Sequence, residues 1–244
     1  MSYYYYDNNG GGGGRRFLAN VPPVTRNILY INVIVFLAMW VSERVMGSDL
    51  FTRYFALFYP ASHFFKIWQP LTYMFLHGGF WHILFNMYTL VMFGCVVERM
   101  LGKNKFLAFY LICGLGAAAA QIGTQAIQAA SYANGIELGA QAAIHNYGML
   151  LNTPTVGASG AIYGILIAFA MLFPESRMTL IFPPVTLSAK WMVIVFVAIE
   201  LLMGSADMMS NVAHYAHLGG MLIGWLLILY WKKRGILFDQ TKLF

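Results

Sequence analysis

The sequence is poor in charged residues. Asp, Glu, Lys and Arg make up 10% of its 244 residues, whereas 59% are hydrophobic. A soluble globular domain carries about 25% charged residues, so this chain has too few to cover a surface that faces water. The shortage excludes an ordinary soluble domain and predicts a protein embedded in a lipid bilayer.

Cysteine is also nearly absent. The two cysteines, Cys95 and Cys113, lie in apolar segments and have no spacing that is typical of paired thiols or of a metal site. The sequence therefore predicts neither a disulfide framework nor a zinc module. We expect the protein to need no metal and no other cofactor.

Long apolar segments are what the chain has instead, and a membrane-spanning helix takes about 20 such residues. Six candidate segments are present, at about residues 27–45, 80–97, 106–127, 157–173, 191–206 and 212–231. We predict an all-α polytopic membrane protein, with a six-helix transmembrane bundle over residues 27–231. We interpret the Gly-rich residues 1–26 as a disordered cytosolic tail and residues 232–244 as a short basic cytosolic tail.

The basic residues are distributed unevenly between the two sides of this bundle. Of the 15 Lys and Arg residues, Arg44, Arg53 and Lys66 fall on one side and the rest on the other. Because cytoplasmic loops carry an excess of Lys and Arg, we predict that both termini are cytoplasmic. This placement explains the formal net charge of +6 without a nucleic-acid partner. We favour a bacterial inner membrane, although a eukaryotic membrane would fit the same pattern.

Two long segments on the non-cytoplasmic side differ in composition. Residues 46–79 mix aromatic and polar side chains, so we expect a first loop that lies in the membrane interface or dips partway into the bilayer. Residues 128–156 contain no Lys or Arg, and we interpret them as a flexible external segment.

Polar residues inside the apolar segments are costly in lipid and tend to mark function. His82 and Asn86 are four residues apart on one face of the second helix, and Ser159 and Tyr163 share a face of the fourth. Each pair alone is explained as well or better by hydrogen-bonded packing between helices. "GASG" does not match the G-x-S-x-G nucleophile motif, and no strand precedes it.

Glycines predict a contact between the fourth and sixth helices. Gly160 opens a small-xxx-small pair in the fourth helix, and Gly220 and Gly224 follow His217 on one face of the sixth. Close packing through these glycines would bring His217 to Ser159. A buried histidine beside a serine can act as its general base, because its ordinary pKa of about 6.5 suits proton exchange near neutral pH.

The remaining ionisable residues have less certain roles. His214 shares the face of His217, and we assign it a supporting role. Glu200 lies in the fifth apolar segment, where it serves either as a structural hydrogen-bonding group or as a proton carrier. We favour the structural role.

Three motifs, "HGGFWHILFNM", "GASGAIYG" and "AHLGGMLIG", lie in this order on the second, fourth and sixth helices. Together they resemble the rhomboid family of intramembrane serine proteases, over about residues 27–231. The resemblance implies that Ser159 is the nucleophile and His217 its general base, in a dyad without an aspartate. It also implies that His82, Asn86 and the backbone N–H of Ser159 form the oxyanion hole.

The family pattern further implies that Tyr163 stacks on His217, while Gly220 and Gly224 hold the sixth helix against the fourth. Its substrates are transmembrane segments of membrane proteins, cleaved at or near their outer end. With no acid behind the histidine, packing against Tyr163 would have to orient it. One departure is that Trp68 is followed by Gln69, where many family members have arginine.

Two other functions remain open on the sequence. A catalytically inactive relative would bind membrane helices without cleaving them, although such proteins usually lack the serine or the histidine. A channel or small transporter would line its pore with His82, His214, His217 and Glu200. Our candidate for the gate through which substrate enters is the fifth helix, at residues 191–206, with the loop at about 207–211. We expect Gly204, Ser205 and Ala206 to pack weakly there.

Overall fold

The computed structural model describes residues 20–179, 184–205 and 212–237. Within these ranges the helices and strands are α1 (Pro23–Trp40), α2 (Leu50–Phe55), α3 (Gln69–Thr72), α4 (Phe80–Thr89), α5 (Cys95–Leu101), α6 (Lys103–Glu137), α7 (Gln141–Asn152), α8 (Ser159–Leu172), β1 (Arg177–Thr179), β2 (Thr186–Ser188), α9 (Ala189–Ser205) and α10 (Val212–Lys233). The all-α prediction is confirmed, since the two strands form only a short antiparallel hairpin between α8 and α9.

Each predicted apolar segment corresponds to a helix. A π-helical turn, Val41–Val45, extends α1, and a second one, Leu90–Gly94, joins α4 to α5. Among the described residues, three helical stretches are long and apolar enough to cross a membrane: Pro23–Arg44, Phe80–Leu101 and Lys103–Glu137. The number of crossings stays a prediction.

The helix α8 is short. Its 14 residues correspond to about 21 Å at 1.5 Å per residue, less than the ~30 Å hydrocarbon core of a bilayer. A helix of this length in a membrane leaves room for water to reach one of its ends. Ser159 is its first residue.

The interpretation of residues 128–156 as a flexible loop is wrong. The helix α6 continues to Glu137, and α7 follows after a short turn. Ala and Gln dominate the end of α6, and both are strong helix formers. Gly139 ends the helix with a φ of 80°, a conformation that glycine adopts without steric cost. The N–H of Ala140 then donates to the carbonyl of Gly135 at 2.9 Å, which closes the C-terminal turn.

The first loop is held in place by Gln69. This side chain is fully buried, and its Nε2 donates to the carbonyls of Arg53 (3.1 Å) and Phe64 (2.8 Å). Its Oε1 accepts a hydrogen bond from the N–H of Phe58 at 3.3 Å. An amide therefore supplies the donors that tie this loop together, in a position where many family members have arginine.

A buried carboxylate caps the first helix. The carboxylate of Glu98, on α5, accepts hydrogen bonds from the N–H of Val24 at 2.9 Å and of Thr25 at 2.7 Å, and from the Thr25 hydroxyl at 2.7 Å. These are N–H groups that a helix leaves unpaired at its start, and a negative charge is favoured there. Glu98 thereby joins the start of α1 to α5.

The predicted contact between the fourth and sixth apolar helices is present, between α8 and α10. A Cβ added to Gly220 would lie 1.9 Å from the carbonyl oxygen of Gly160, and one added to Gly224 would lie 2.9 Å from the Cα of Gly164. Only glycine permits this approach of two backbones. On its other side α8 packs on α6, where a Cβ on Gly160 would lie 2.4 Å from that of Ala117.

Candidate active site

Ser159 and His217 meet where α8 begins. The Oγ of Ser159 and the Nε2 of His217 are 2.7 Å apart, which is within hydrogen-bond distance. The His217 side chain is 14% exposed, so it is largely buried but still accessible to solvent. A serine hydroxyl in this contact can pass its proton to the imidazole.

Gly157 lies against both His82 and Ser159 and leaves no room for a side chain. A Cβ at Gly157 would lie 2.9 Å from the Nε2 of His82 and 3.4 Å from the Oγ of Ser159. The φ of Gly157 is 134°, which side-chain-bearing residues rarely adopt. The Ser159 N–H is at the first position of α8, where helical N–H groups lack intrahelical partners. The site thus places the serine hydroxyl beside a backbone donor and an imidazole nitrogen.

Asn86 lies one turn after His82 on α4. It is buried, at 8% exposure, and its Nδ2 makes no hydrogen bond to any described residue. A buried amide donor without a partner is costly, so an acceptor supplied by a substrate would relieve that cost. The structure gives no direct contact between this amide and Ser159 within the described chain.

The ring of Tyr163 stacks on that of His217, the candidate general base, as the sequence predicts. The two rings have centroids 4.3 Å apart and planes inclined by 16°. The stacking restricts rotation of the imidazole about its side-chain bonds. The tyrosine hydroxyl donates to Oε1 of Glu200 at 2.6 Å, so the ring is itself held at its far end.

The prediction that no acid stands behind His217 is wrong. Oε1 of Glu200 lies 3.0 Å from Nδ1 of His217, and Oε2 lies 2.6 Å from Nδ1 of His214. The carboxylate is therefore at the junction of α8, α9 and α10. The sequence shows that Glu200 is an acid in an apolar helix. It does not predict the partners of Glu200, because these depend on how α9 is rotated against its neighbours.

This cluster also has donors that a metal ion accepts. One ligand atom each from Glu200, His214 and His217 lies within 4.8 Å of the others, and two histidines with a carboxylate are a known zinc ligand set. The prediction of no metal site rests on cysteine spacing, and this group contains no cysteine.

His77 is a residue near the site that the sequence analysis left without a role. Its ring is fully buried and lies edge-on to that of His82, with centroids 5.0 Å apart. Burial and the neighbouring His82 lower the pKa of His77 to about 3. It therefore contacts His82 as a neutral imidazole near neutral pH. Its place in "LHGGFWH", five residues before His82, was the available signal.

Comparison with known proteins identifies the family. Residues 65–234 match the rhomboid domain, a span that includes all the site residues described above. The chain belongs to the rhomboid family. It is therefore a polytopic integral membrane protein of a family known as intramembrane serine proteases.

Individual rhomboid proteins are similar over the same region. The chain is 33% identical over 162 residues to the rhomboid protein YdcA of Bacillus subtilis (strain 168), covering 66% of this chain and 65% of that protein. It is 32% identical over 169 residues to the mitochondrial presenilin-associated rhomboid-like protein of Rattus norvegicus, covering 66% of this chain and 38% of that protein. The match thus spans less than two thirds of either relative, and the relatives come from bacteria and from mitochondria.

The suggested substrate gate of this rhomboid protein is only partly described. Residues 206–211 lie outside the described ranges. The reason given for a weakly packed gate does not hold at Gly204, because its carbonyl accepts a hydrogen bond from the Tyr215 hydroxyl at 3.1 Å. The end of α9 is thus tied to α10 at this point.

Proposed function

We propose that this rhomboid protein is a serine endopeptidase that cleaves transmembrane segments of membrane-protein substrates. The observation that carries the proposal is the 2.7 Å contact between Ser159 Oγ and His217 Nε2. The family supports it, because rhomboid proteins are known as intramembrane serine proteases.

The reaction follows from the positions of the two residues. Ser159 Oγ attacks the carbonyl carbon of the scissile peptide bond while its proton passes to Nε2 of His217. His217 then gives that proton to the leaving amine as the C–N bond breaks, which leaves an acyl-enzyme. A water molecule, with His217 again as base, attacks the ester and releases the second product.

Three donors would stabilise the oxyanion that forms in each step. They are the Ser159 N–H, the His82 imidazole and the Asn86 amide. Gly157 lies against both Ser159 and His82, and the Asn86 nitrogen has no partner among the described residues. In soluble proteases, removing one such donor lowers kcat by about 10²–10³-fold.

The substrates we propose are single-span proteins whose helix unwinds near small residues. A helical peptide bond is shielded by its own hydrogen bonds, so it must unwind before Ser159 can reach it. The shortness of α8 supports a cleavage point near the outer end of the substrate helix. We place both termini in the cytoplasm, from the distribution of Lys and Arg, and we favour a bacterial inner membrane.

The test compares the wild type with Ser159→Ala in detergent, on a panel of single-span model substrates. We expect the wild type to cleave at least one substrate and Ser159→Ala to cleave none. Ser131→Ala is the matched control, because Ser131 is exposed on α6 and should retain full activity. Equal cleavage by Ser159→Ala would contradict the proposal. Failure of a folded wild type to cleave any substrate would favour an inactive, helix-binding relative.

A further inference from the structure

A single buried carboxylate connects three side chains of the active site. Glu200 is 5% exposed and lies on α9. Its Oε1 contacts the Tyr163 hydroxyl and His217 Nδ1, and its Oε2 contacts His214 Nδ1. The three contacts reach two other helices, α8 and α10, so the carboxylate is fixed from more than one direction.

Packing alone does not explain a carboxylate at this position. A charged group inside a membrane helix is costly unless it is paired or hydrogen-bonded. Burying an apolar side chain would serve the contact between α9 and α10 at no such cost. The carboxylate has instead gained three donors at 2.6–3.0 Å, which favour its ionised form.

The ionised form decides which nitrogen of His217 carries the proton. An ionised carboxylate only accepts hydrogen bonds, so a bond to Nδ1 of His217 requires a proton on Nδ1. The other nitrogen, Nε2, then has a free lone pair directed at Ser159 Oγ, 2.7 Å away. This is the tautomer in which a histidine acts as a general base toward serine.

We propose that Glu200 is the positioning residue of His217, so that the site operates as a Ser159–His217–Glu200 triad. This inference rests on the proposed protease function. Glu200 holds the imidazole in the Nδ1–H tautomer and stabilises the imidazolium that forms when Ser159 gives up its proton. The carboxylate itself is not protonated in the reaction, and it transfers no group.

His214 and Tyr163 fix the carboxylate in its turn. His214 occupies Oε2, which prevents that oxygen from turning toward His217, and the Tyr163 hydroxyl shares Oε1 with His217. The carboxylate thus has one orientation in which all three donors are satisfied. Stacking by Tyr163 and hydrogen bonding to Glu200 restrain His217 in two different ways, one across its ring face and the other at Nδ1.

The first test is a kinetic comparison of Glu200→Gln with the wild type and with Glu200→Asp. Gln is similar in shape but presents a donor as well as an acceptor, so it no longer imposes one tautomer on His217. We expect kcat to fall by about 10²–10⁴-fold, by analogy with loss of the acid in soluble triads, with KM within about twofold of the wild type. Glu200→Asp should recover part of the loss.

Glu175→Gln is the matched control. Glu175 is exposed and pairs with Lys190, so its neutralisation removes one charge without touching the site. We expect wild-type kcat from it. A Glu200→Gln variant with kcat within about threefold of the wild type would overturn the triad. The triad would also be overturned if Glu200→Gln lowered the free energy of unfolding together with kcat and Glu200→Asp recovered neither.

The second test requires no change at Glu200. Solid-state NMR of Ser159→Ala protein with ¹⁵N-labelled histidine reports directly which nitrogen of His217 is protonated. The His217 signals are assigned by their absence from a Ser159→Ala/His217→Ala protein. We expect a proton on Nδ1 near neutral pH, and a proton on Nε2 would overturn the inference. If the wild type cleaves no substrate, the proposed function is wrong. If the wild type cleaves and Glu200→Gln does not change the rate, only the triad is wrong.

Discussion

Gly157 shapes the site by having no side chain. A Cβ at this position would lie 2.9 Å from His82 Nε2 and 3.4 Å from Ser159 Oγ, so it would crowd a proposed oxyanion donor and the proposed nucleophile. Its positive φ of 134° also aims the chain from the loop into α8. Both properties depend on one residue that carries no chemistry of its own.

We therefore predict that Gly157→Ala loses activity beyond its effect on stability. The added methyl group would lie 2.9 Å from His82 Nε2 and displace that side chain, so we expect kcat to fall by about 10²-fold or more, comparable to loss of an oxyanion donor. The unusual φ adds about 1–3 kcal/mol of strain. Cleavage rates and the free energy of unfolding in detergent are the two measurements.

Gly139→Ala separates these two effects. Gly139 also has a positive φ, of 80°, but a Cβ there would meet no atom within 4 Å. It should lose comparable stability and keep wild-type kcat. A Gly157→Ala protein as active as Gly139→Ala would show that crowding at Gly157 does not affect catalysis.

At the scale of single residues, the sequence identified the polar side chains that lie within apolar segments. Ser159, His217 and Tyr163 could be paired because their spacing along two helices was visible in the glycine pattern. The partnership of His217 with Glu200 could not, since it depends on the rotation of α9. The close approach of His82 and Ser159 to Gly157 depends on a backbone angle that composition does not report.

The contact between α8 and α10 is the element-level feature that assembles the site. It brings two backbones together at Gly220, where an added Cβ would lie 1.9 Å from the carbonyl oxygen of Gly160. A backbone atom cannot rotate away as a side chain can. Any side chain at this position therefore pushes α10, and with it His217, away from Ser159.

We predict that Gly220→Ala destabilises the protein by about 1–3 kcal/mol, the usual range for overpacking, and lowers kcat. The measurements are denaturant titration in detergent micelles and the cleavage rate. Gly123→Ala on α6 is the control, because a Cβ at Gly123 meets nothing within 4 Å. It should gain roughly 0.5–1 kcal/mol from helix propensity. Equal behaviour of the two variants would contradict the packing account.

The helices that lie in long apolar segments were predicted well. The helical residues outside such segments were predicted poorly. The segment at 128–156 lacks charge, and this was interpreted as a loop. Its Ala- and Gln-rich composition favours a helix whatever its surroundings, and α6 continues to Glu137 with α7 after it. Absence of Lys and Arg predicts the side of the membrane, not the secondary structure.

The orientation that we propose for the whole molecule rests on the distribution of its basic residues and can be tested by labelling. Lys103 and Asn146 are exposed, and our topology places Lys103 in the cytoplasm and Asn146 on the opposite side. We predict that Asn146→Cys reacts with a membrane-impermeant maleimide in intact spheroplasts, and Lys103→Cys only after permeabilisation. The two native cysteines are buried and should not react. The reverse pattern would contradict the predicted topology.

At this scale the central claim is that one serine of the 244-residue chain is an activated nucleophile. The most direct measurement is the position of the adduct after wild-type protein reacts with a fluorophosphonate, found by mass spectrometry of its peptides. The account predicts one adduct, on Ser159, which disappears in His217→Ala while the fold is retained. An adduct on another serine, or none on a folded wild type, would contradict it.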